Sequence, residues 1–200
     1  MKKITIVALA MLALTIGVYA QSAPTPAPTT PTPTWEYTTN TDKMTGQVIR
    51  YACLDSSNQL NFAPPYDGGS RGTICLRSGD PRLGARYGEA LIMISKGQFL
   101  CKRVDVNNSI AHLHFCYLEV KVDDNQLKNL SVHRSNDGST NVFFVDGTSH
   151  YVLFAEVAAS YKFLFTALKE ANHVMIRATF FQEGDQVLEF DTTGLTWEWK

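Results

Sequence analysis

His112 and His114 are the residues in this chain best spaced to share a ligand. On a strand, positions i and i+2 project from the same face, so the two imidazoles would supply half of a zinc or copper site. A third donor follows if Asn108-Ser109 is a two-residue turn. Opposite residues then have numbers summing to 217, which pairs Asp105 with His112, Arg103 with His114 and Cys101 with Cys116. Directly opposed residues of an antiparallel pair have close Cβ atoms, a separation that also suits a disulfide. Arg103 brings a permanent positive charge into the same patch and opposes a cation. Asp105 and His112 are also explained as a cross-strand polar pair. We therefore expect a polar binding face made of Arg103, Asp105, His112 and His114, with no metal and no cofactor. Val104, Val106, Ala111, Leu113 and Phe115 fall on the opposite face and read as core. Leu118, Val120 and Val122 share the parity of the histidines, so a bulge or two-sided burial is expected beyond Tyr117.

Gly68-Gly69-Ser70-Arg71-Gly72 matches G-x-S-x-G literally. A nucleophile elbow needs its serine on a strand-to-helix turn. Here the motif follows Ala63-Pro64-Pro65-Tyr66-Asp67 and precedes a short apolar run at Ile74, without helix signals. A glycine-rich surface loop is the simpler account, and Tyr66 and Asp67 are its candidate binding residues. Asp123-Asp124-Asn125 has calcium-ligating residue types but reads as a solvated turn. His133, His150 and His173 are isolated and expected to be structural. Phe143-Phe144 and Phe180-Phe181 are adjacent pairs; in strands such neighbours point to opposite faces, which can leave one of each exposed as a partner surface.

The elements that must carry these residues are mostly strands. Runs at Val48–Leu54, Ile74–Arg77, Tyr87–Ser95, Phe99–Val106, Ala111–Val122, Leu130–His133 and Val142–Val145 are separated by turn signals such as Lys96-Gly97 and Asp137-Gly138. The period then changes. Phe154, Val157, Ala158, Tyr161, Leu164, Phe165 and Leu168 recur at helical spacing, which predicts an amphipathic helix over about 150–171, with Glu156, Ser160, Lys169 and Glu170 on its other side. Val174–Phe181 and Val187–Asp191 follow as a hairpin across Glu183-Gly184-Asp185. The predicted class is α+β, mostly β: an antiparallel sheet or sandwich with one helix packed on it.

Lys2 and Lys3, the apolar run Ile4–Val18 and the small residues Val18 and Ala20 read as an export signal cleaved before Gln21. The apolar stretch is short for a spanning helix, and no later stretch is long enough. Residues 21–34, with five of the chain's eight prolines, read as a stiff Pro/Thr tether. Residues 35–200 are then a single β-rich domain in the periplasm or outside the cell. Loss of Lys2 and Lys3 lowers the basic count from 18 to 16 against 19 acidic residues, a formal charge of −3. Such a chain has no broad attraction for nucleic acid. Four cysteines in an exported chain predict two disulfides with three possible pairings. The hairpin register selects Cys101–Cys116, leaving Cys53–Cys75.

Several short pieces carry a resemblance: Ser57-Asn58 with Phe62–Gly69, Leu76-Arg77, Gly97–Cys101, Cys116 leading to Val120–Asp124, and the closing Phe190–Trp197. They resemble a group of small exported proteobacterial proteins of uncharacterised function, and more distantly are similar to accessory proteins associated with type VI secretion. An Arg-Phe-Asp triplet frequent in that group is replaced here by Lys121-Val122-Asp123. The resemblance implies a β-rich envelope module and transfers no catalytic residue. The function expected is a non-enzymatic exported binding or accessory module whose partner is another envelope or extracellular protein. The alternative is a hydrolase of envelope or host polymers, using the histidine pair with a metal, or Ser70.

Overall fold

Strands alternate side chains between two faces, and in this protein one face of nearly every strand is apolar enough to bury. A computed structural model describes residues 33–78, 88–101, 116–135, 137–146 and 155–197. Nine strands form: β1 (Glu36–Thr41), β2 (Val48–Asp55), β3 (Gly72–Arg77), β4 (Glu89–Ile94), β5 (Cys116–Val122), β6 (Lys128–Arg134), β7 (Val142–Asp146), β8 (His173–Phe180) and β9 (Gly184–Asp191). The one helix among the described residues, α1 (Ala155–Glu170), lies between β7 and β8. All pairings are antiparallel, and the sheet order is β1-β2-β3-β4-β7-β6-β5-β8-β9. The predicted class, a mostly β antiparallel sheet with one packed helix, is the one observed.

Two meanders meet at the β4–β7 pair. Ile74, Leu76, Ala90, Ile92 and Val145 are fully buried along that junction, and Phe143 lies beside them. Phe99 stacks on Phe143 at 4.6 Å and packs on Phe180 at 4.9 Å, and Phe62 packs on Phe180 at 5.1 Å. Contacts of this kind add about 0.5–1.5 kcal/mol each beyond the area they bury. The four rings tie loop 61–69, the segment after β4, β7 and β8 into one cluster.

The helix explains how β6 survives between its neighbours. β6 pairs with β7 only at His133 and Arg134, so among the described residues the β7-facing edge at Leu130–Val132 has no strand beside it. There Ser131 N–H donates to Ser160 Oγ of α1 at 3.0 Å, both residues being buried. Ser160 was expected on the outer side of the helix and instead faces the sheet. A buried amide needs a partner, and a small hydroxyl on the inner face supplies one. Tyr161, Leu164, Ala167 and Leu168 bury the rest of that face, while Lys169 and Glu170 stay exposed.

Two further expectations change. The Lys96-Gly97 turn does not fold Phe99 back along β4, whose edges are already held by β3 and β7. The chain crosses to β8 instead: Leu100 N–H donates to Thr179 O (2.8 Å) and Phe181 N–H to Gln98 O (2.9 Å), around a Phe99–Phe180 bridge. The final hairpin turns at Phe181-Gln182-Glu183, with Gly184 already opposite Phe180. The turn thus falls earlier than Glu183-Gly184-Asp185, and Gln182 takes the left-handed conformation (φ 64°).

Both disulfides form as predicted. Cys53 and Cys75 face each other in the β2–β3 register with Cα atoms 4.0 Å apart, and Cys101 joins Cys116 at 5.0 Å. Two such pairs are compatible with an oxidising, extracytoplasmic compartment. Among the described residues no helix is long and apolar enough to cross a membrane.

Candidate binding surface

Of the six residues expected to bind, Tyr66 and Asp67 are described; Arg103, Asp105, His112 and His114 lie outside the described residues. Tyr66 and Asp67 sit on loop 61–69, which runs over the outside of the Phe62–Phe180 contact. Ala63, Pro64, Pro65 and Asp67 are exposed, and the Pro64–Pro65 bond is cis.

This exposed loop is held from several sides. Phe62 anchors it in the core. Ala63 N–H donates to the Glu183 carboxylate at 2.8 Å, tying the loop to the β8–β9 turn. Gln98 Nε2 donates to Tyr66 Oη at 2.8 Å, and Lys96 Nζ donates to the Asp67 carbonyl at 2.8 Å. Gly97 is required at the turn beneath it: its φ is 101°, and a Cβ there would meet the Phe62 ring at 2.6 Å. The result is an outward-facing loop whose conformation is set before any partner arrives, which lowers the ordering cost of binding.

Beside the loop the surface is apolar. Gln98, Leu100, Thr179 and Phe181 occupy the outer face of the strip whose inner face holds Phe99 and Phe180, because alternate residues point opposite ways. Leu100 is 44% exposed and Phe181 46%. Of the two phenylalanine pairs, Phe180 is buried and Phe181 exposed, while Phe143 is buried and Phe144 half-buried against His133 at 5.5 Å. Cys101 follows directly on this strip, and its bridge to Cys116 closes the two ends of the segment that carries Arg103, Asp105, His112 and His114.

Ser70 is placed differently from a nucleophile. It is 1% exposed, bridges to Leu60 and leads into β3 rather than into a helix. Its Oγ donates to Lys96 O (2.8 Å) and accepts from Lys96 N–H (3.0 Å), stapling the loop to the 95–97 turn. The Lys96 ammonium is turned away onto the Asp67 carbonyl. Asp123, with φ 46°, accepts from Asn172 N–H (3.2 Å) and His173 N–H (2.9 Å), so its carboxylate joins the end of α1 to β8. Among the described residues no group of three or more His, Cys, Asp or Glu is placed to hold a metal ion.

An open cleft of 620 Å³ lies between the last turns of α1 and the β5–β6 turn. Val122 and Ala167 form its apolar part, and Asn125, Gln126 and Glu170 its polar rim. Lys128 Nζ sits 4.7 Å over the Phe163 ring at its mouth. Sequence reasoning missed this cleft as a set of residues, because turn 123–127 and helix positions 163–171 carry no shared spacing signal.

No family model, curated protein or solved structure matches the chain.

Proposed function

We propose that the protein is a non-enzymatic binding or accessory module of the bacterial envelope, exported to the periplasm or beyond, that docks another envelope or extracellular protein. Its docking surface is loop 63–67 with Leu100 and Phe181. One observation carries this reading: a Pro-Pro-Tyr-Asp segment, with Pro64, Pro65 and Asp67 exposed and Tyr66 half-buried, is locked by Glu183, Gln98 and Lys96 beside two exposed apolar side chains. Exposed apolar side chains grouped on a rigid rim are the usual mark of a protein-binding patch. The export signal, the two disulfides and the resemblance to small exported proteobacterial proteins supply the envelope setting. The similarity to accessory proteins of type VI secretion suits the same role.

A photocrosslinking residue at position 65 or 181, in cells expressing the protein, should trap one defined partner. Substitution of Tyr66 and Phe181 to alanine together should abolish that product while the melting temperature stays within a few degrees. A crosslinking pattern indistinguishable from one obtained at exposed Lys169 would refute the surface.

The cleft beside α1 favours a second reading, carriage of a small molecule. Its volume and its mixture of one aromatic, two amides and two carboxylates suit a small polar ligand. Native mass spectrometry of the protein purified from its envelope should then show a co-purified mass that Phe163→Ala removes.

A further inference from the structure

The two ends of the sheet are finished differently. On β9, Glu189 N–H donates to Asn58 Oδ1 (2.9 Å), Glu189 O accepts from Ser57 N–H (2.7 Å), and Val187 O accepts from Asn58 Nδ2 (2.8 Å). Loop residues 57–58 thus close the edge that β9 would otherwise present. At the opposite end, β1, the segment 194–196 bonds the Tyr37 hydroxyl, with Thr196 N–H donating to it at 2.8 Å, but among the described residues no hydrogen bond reaches the outward backbone of the strand.

The register shows which groups are left. Arg50 bonds Ser78 through both its N–H and its C=O, so Arg50 faces β3 and its neighbours Ile49 and Tyr51 face β1. Asn40 and Thr38 lie opposite Ile49 and Tyr51 and take those bonds. Tyr37, Thr39 and Thr41 therefore direct N–H and C=O away from the sheet, three donors and three acceptors at strand spacing. β1 has few of the usual blocking devices: its sequence EYTTNT holds no proline, no lysine and no bulge, its one charge is Glu36 at the first position, and every residue is exposed.

From this row of groups we infer that β1 is a second docking site, where an extended segment of a partner polypeptide adds as a tenth strand. Only a peptide backbone supplies alternating donors and acceptors at that repeat. A second copy of the chain fits poorly. The one self-pairing that uses all three outward residues against all three is centred on Thr39, and it sets Glu36 opposite Asp42 at both ends. Like charges directly opposed are destabilising. The partner strand instead carries a basic or neutral residue opposite Glu36, and no proline at its inward-facing positions.

The test pans a random-peptide phage library against the purified exported protein. Enriched peptides should slow amide exchange at Tyr37, Thr39 and Thr41 and leave Thr38 and Asn40, already bonded to β2, unchanged. Thr39→Pro removes one outward N–H without touching the β1–β2 bonds and should weaken those peptides about tenfold. N-methylation along the peptide should weaken binding at every second residue. Failure to enrich any peptide, protection at Tyr66 and Asp67 instead of β1, equal binding to Thr39→Pro, or a dimer held through β1 would each overturn the inference. Protection at Tyr66 would do so while leaving the loop surface intact. If Thr39→Pro fails to fold, exchange and the N-methyl scan on the unsubstituted protein still decide.

Discussion

Ser70 shows how a motif residue acquires its role from its neighbours. Its buried hydroxyl both gives and takes a hydrogen bond with the backbone of the exposed residue Lys96. Ser70→Ala removes this partner from the Lys96 N–H and C=O, at an expected cost of about 0.5–1.5 kcal/mol for part-buried groups. Urea denaturation should show that loss through a lower midpoint at unchanged slope. Gly72, two residues on, is constrained by space rather than conformation: a Cβ there would lie 2.6 Å from Leu188 Cδ1. Gly72→Ala should destabilise by about 1–3 kcal/mol through overpacking. Truncating Leu188 to alanine as well should recover part of that cost in a double-mutant cycle. The glycine motif was visible in the sequence; that Gly72 sits against β9 was not, because 116 positions separate it from Leu188.

At the scale of elements, the Ser131–Ser160 hydrogen bond joins the body of the helix to the sheet. Ser160→Ala removes the partner of the Ser131 amide, with an expected cost of about 1–3 kcal/mol. Hydrogen exchange separates this from a general loss of stability: the Ser131 amide should exchange faster than those of Leu118 and Val120, which belong to the same sheet. Helical spacing read from the sequence located α1 well, because Tyr161, Leu164 and Leu168 form a true buried stripe. It placed Ser160 outside because serine is polar, and periodicity cannot register that an unfinished strand edge needs a donor's partner. β1 escaped sequence reasoning for the converse reason. Alternating hydrophobicity marks strands that bury one face, and EYTTNT buries neither. β1 is a strand only because β2 lies beside it.

At the scale of the whole molecule, two covalent links divide the work. Cys53–Cys75 staples β2 to β3 inside the first meander, and Cys101–Cys116 closes a loop whose ends differ by 15 positions, near the docking strip. Closing a loop of that length stabilises by about 3 kcal/mol through the unfolded chain. Replacing Cys101 and Cys116 by alanine should lower stability by roughly that amount in chemical denaturation. It should also weaken partner crosslinking from position 181, whereas replacing Cys53 and Cys75 should lower stability alone. Mass mapping of the unreduced protein checks both pairings, and four free thiols would contradict the fold as described.

Sequence by itself determined what depends on neighbours along the chain: strand runs, the change of period into α1 and the turn residues; the cysteine pairing it gave is the one observed, while the hairpin register behind that pairing lies outside the described residues. Tertiary structure alone decided which strands became neighbours, where the chain after Lys96-Gly97 went, which serine faced inward, and which sheet edge stayed open. The physical reason is that an unpaired strand edge takes whichever backbone packing brings to it. That choice is made by Phe62, Phe99, Phe143 and Phe180 meeting in one core from four distant parts of the chain.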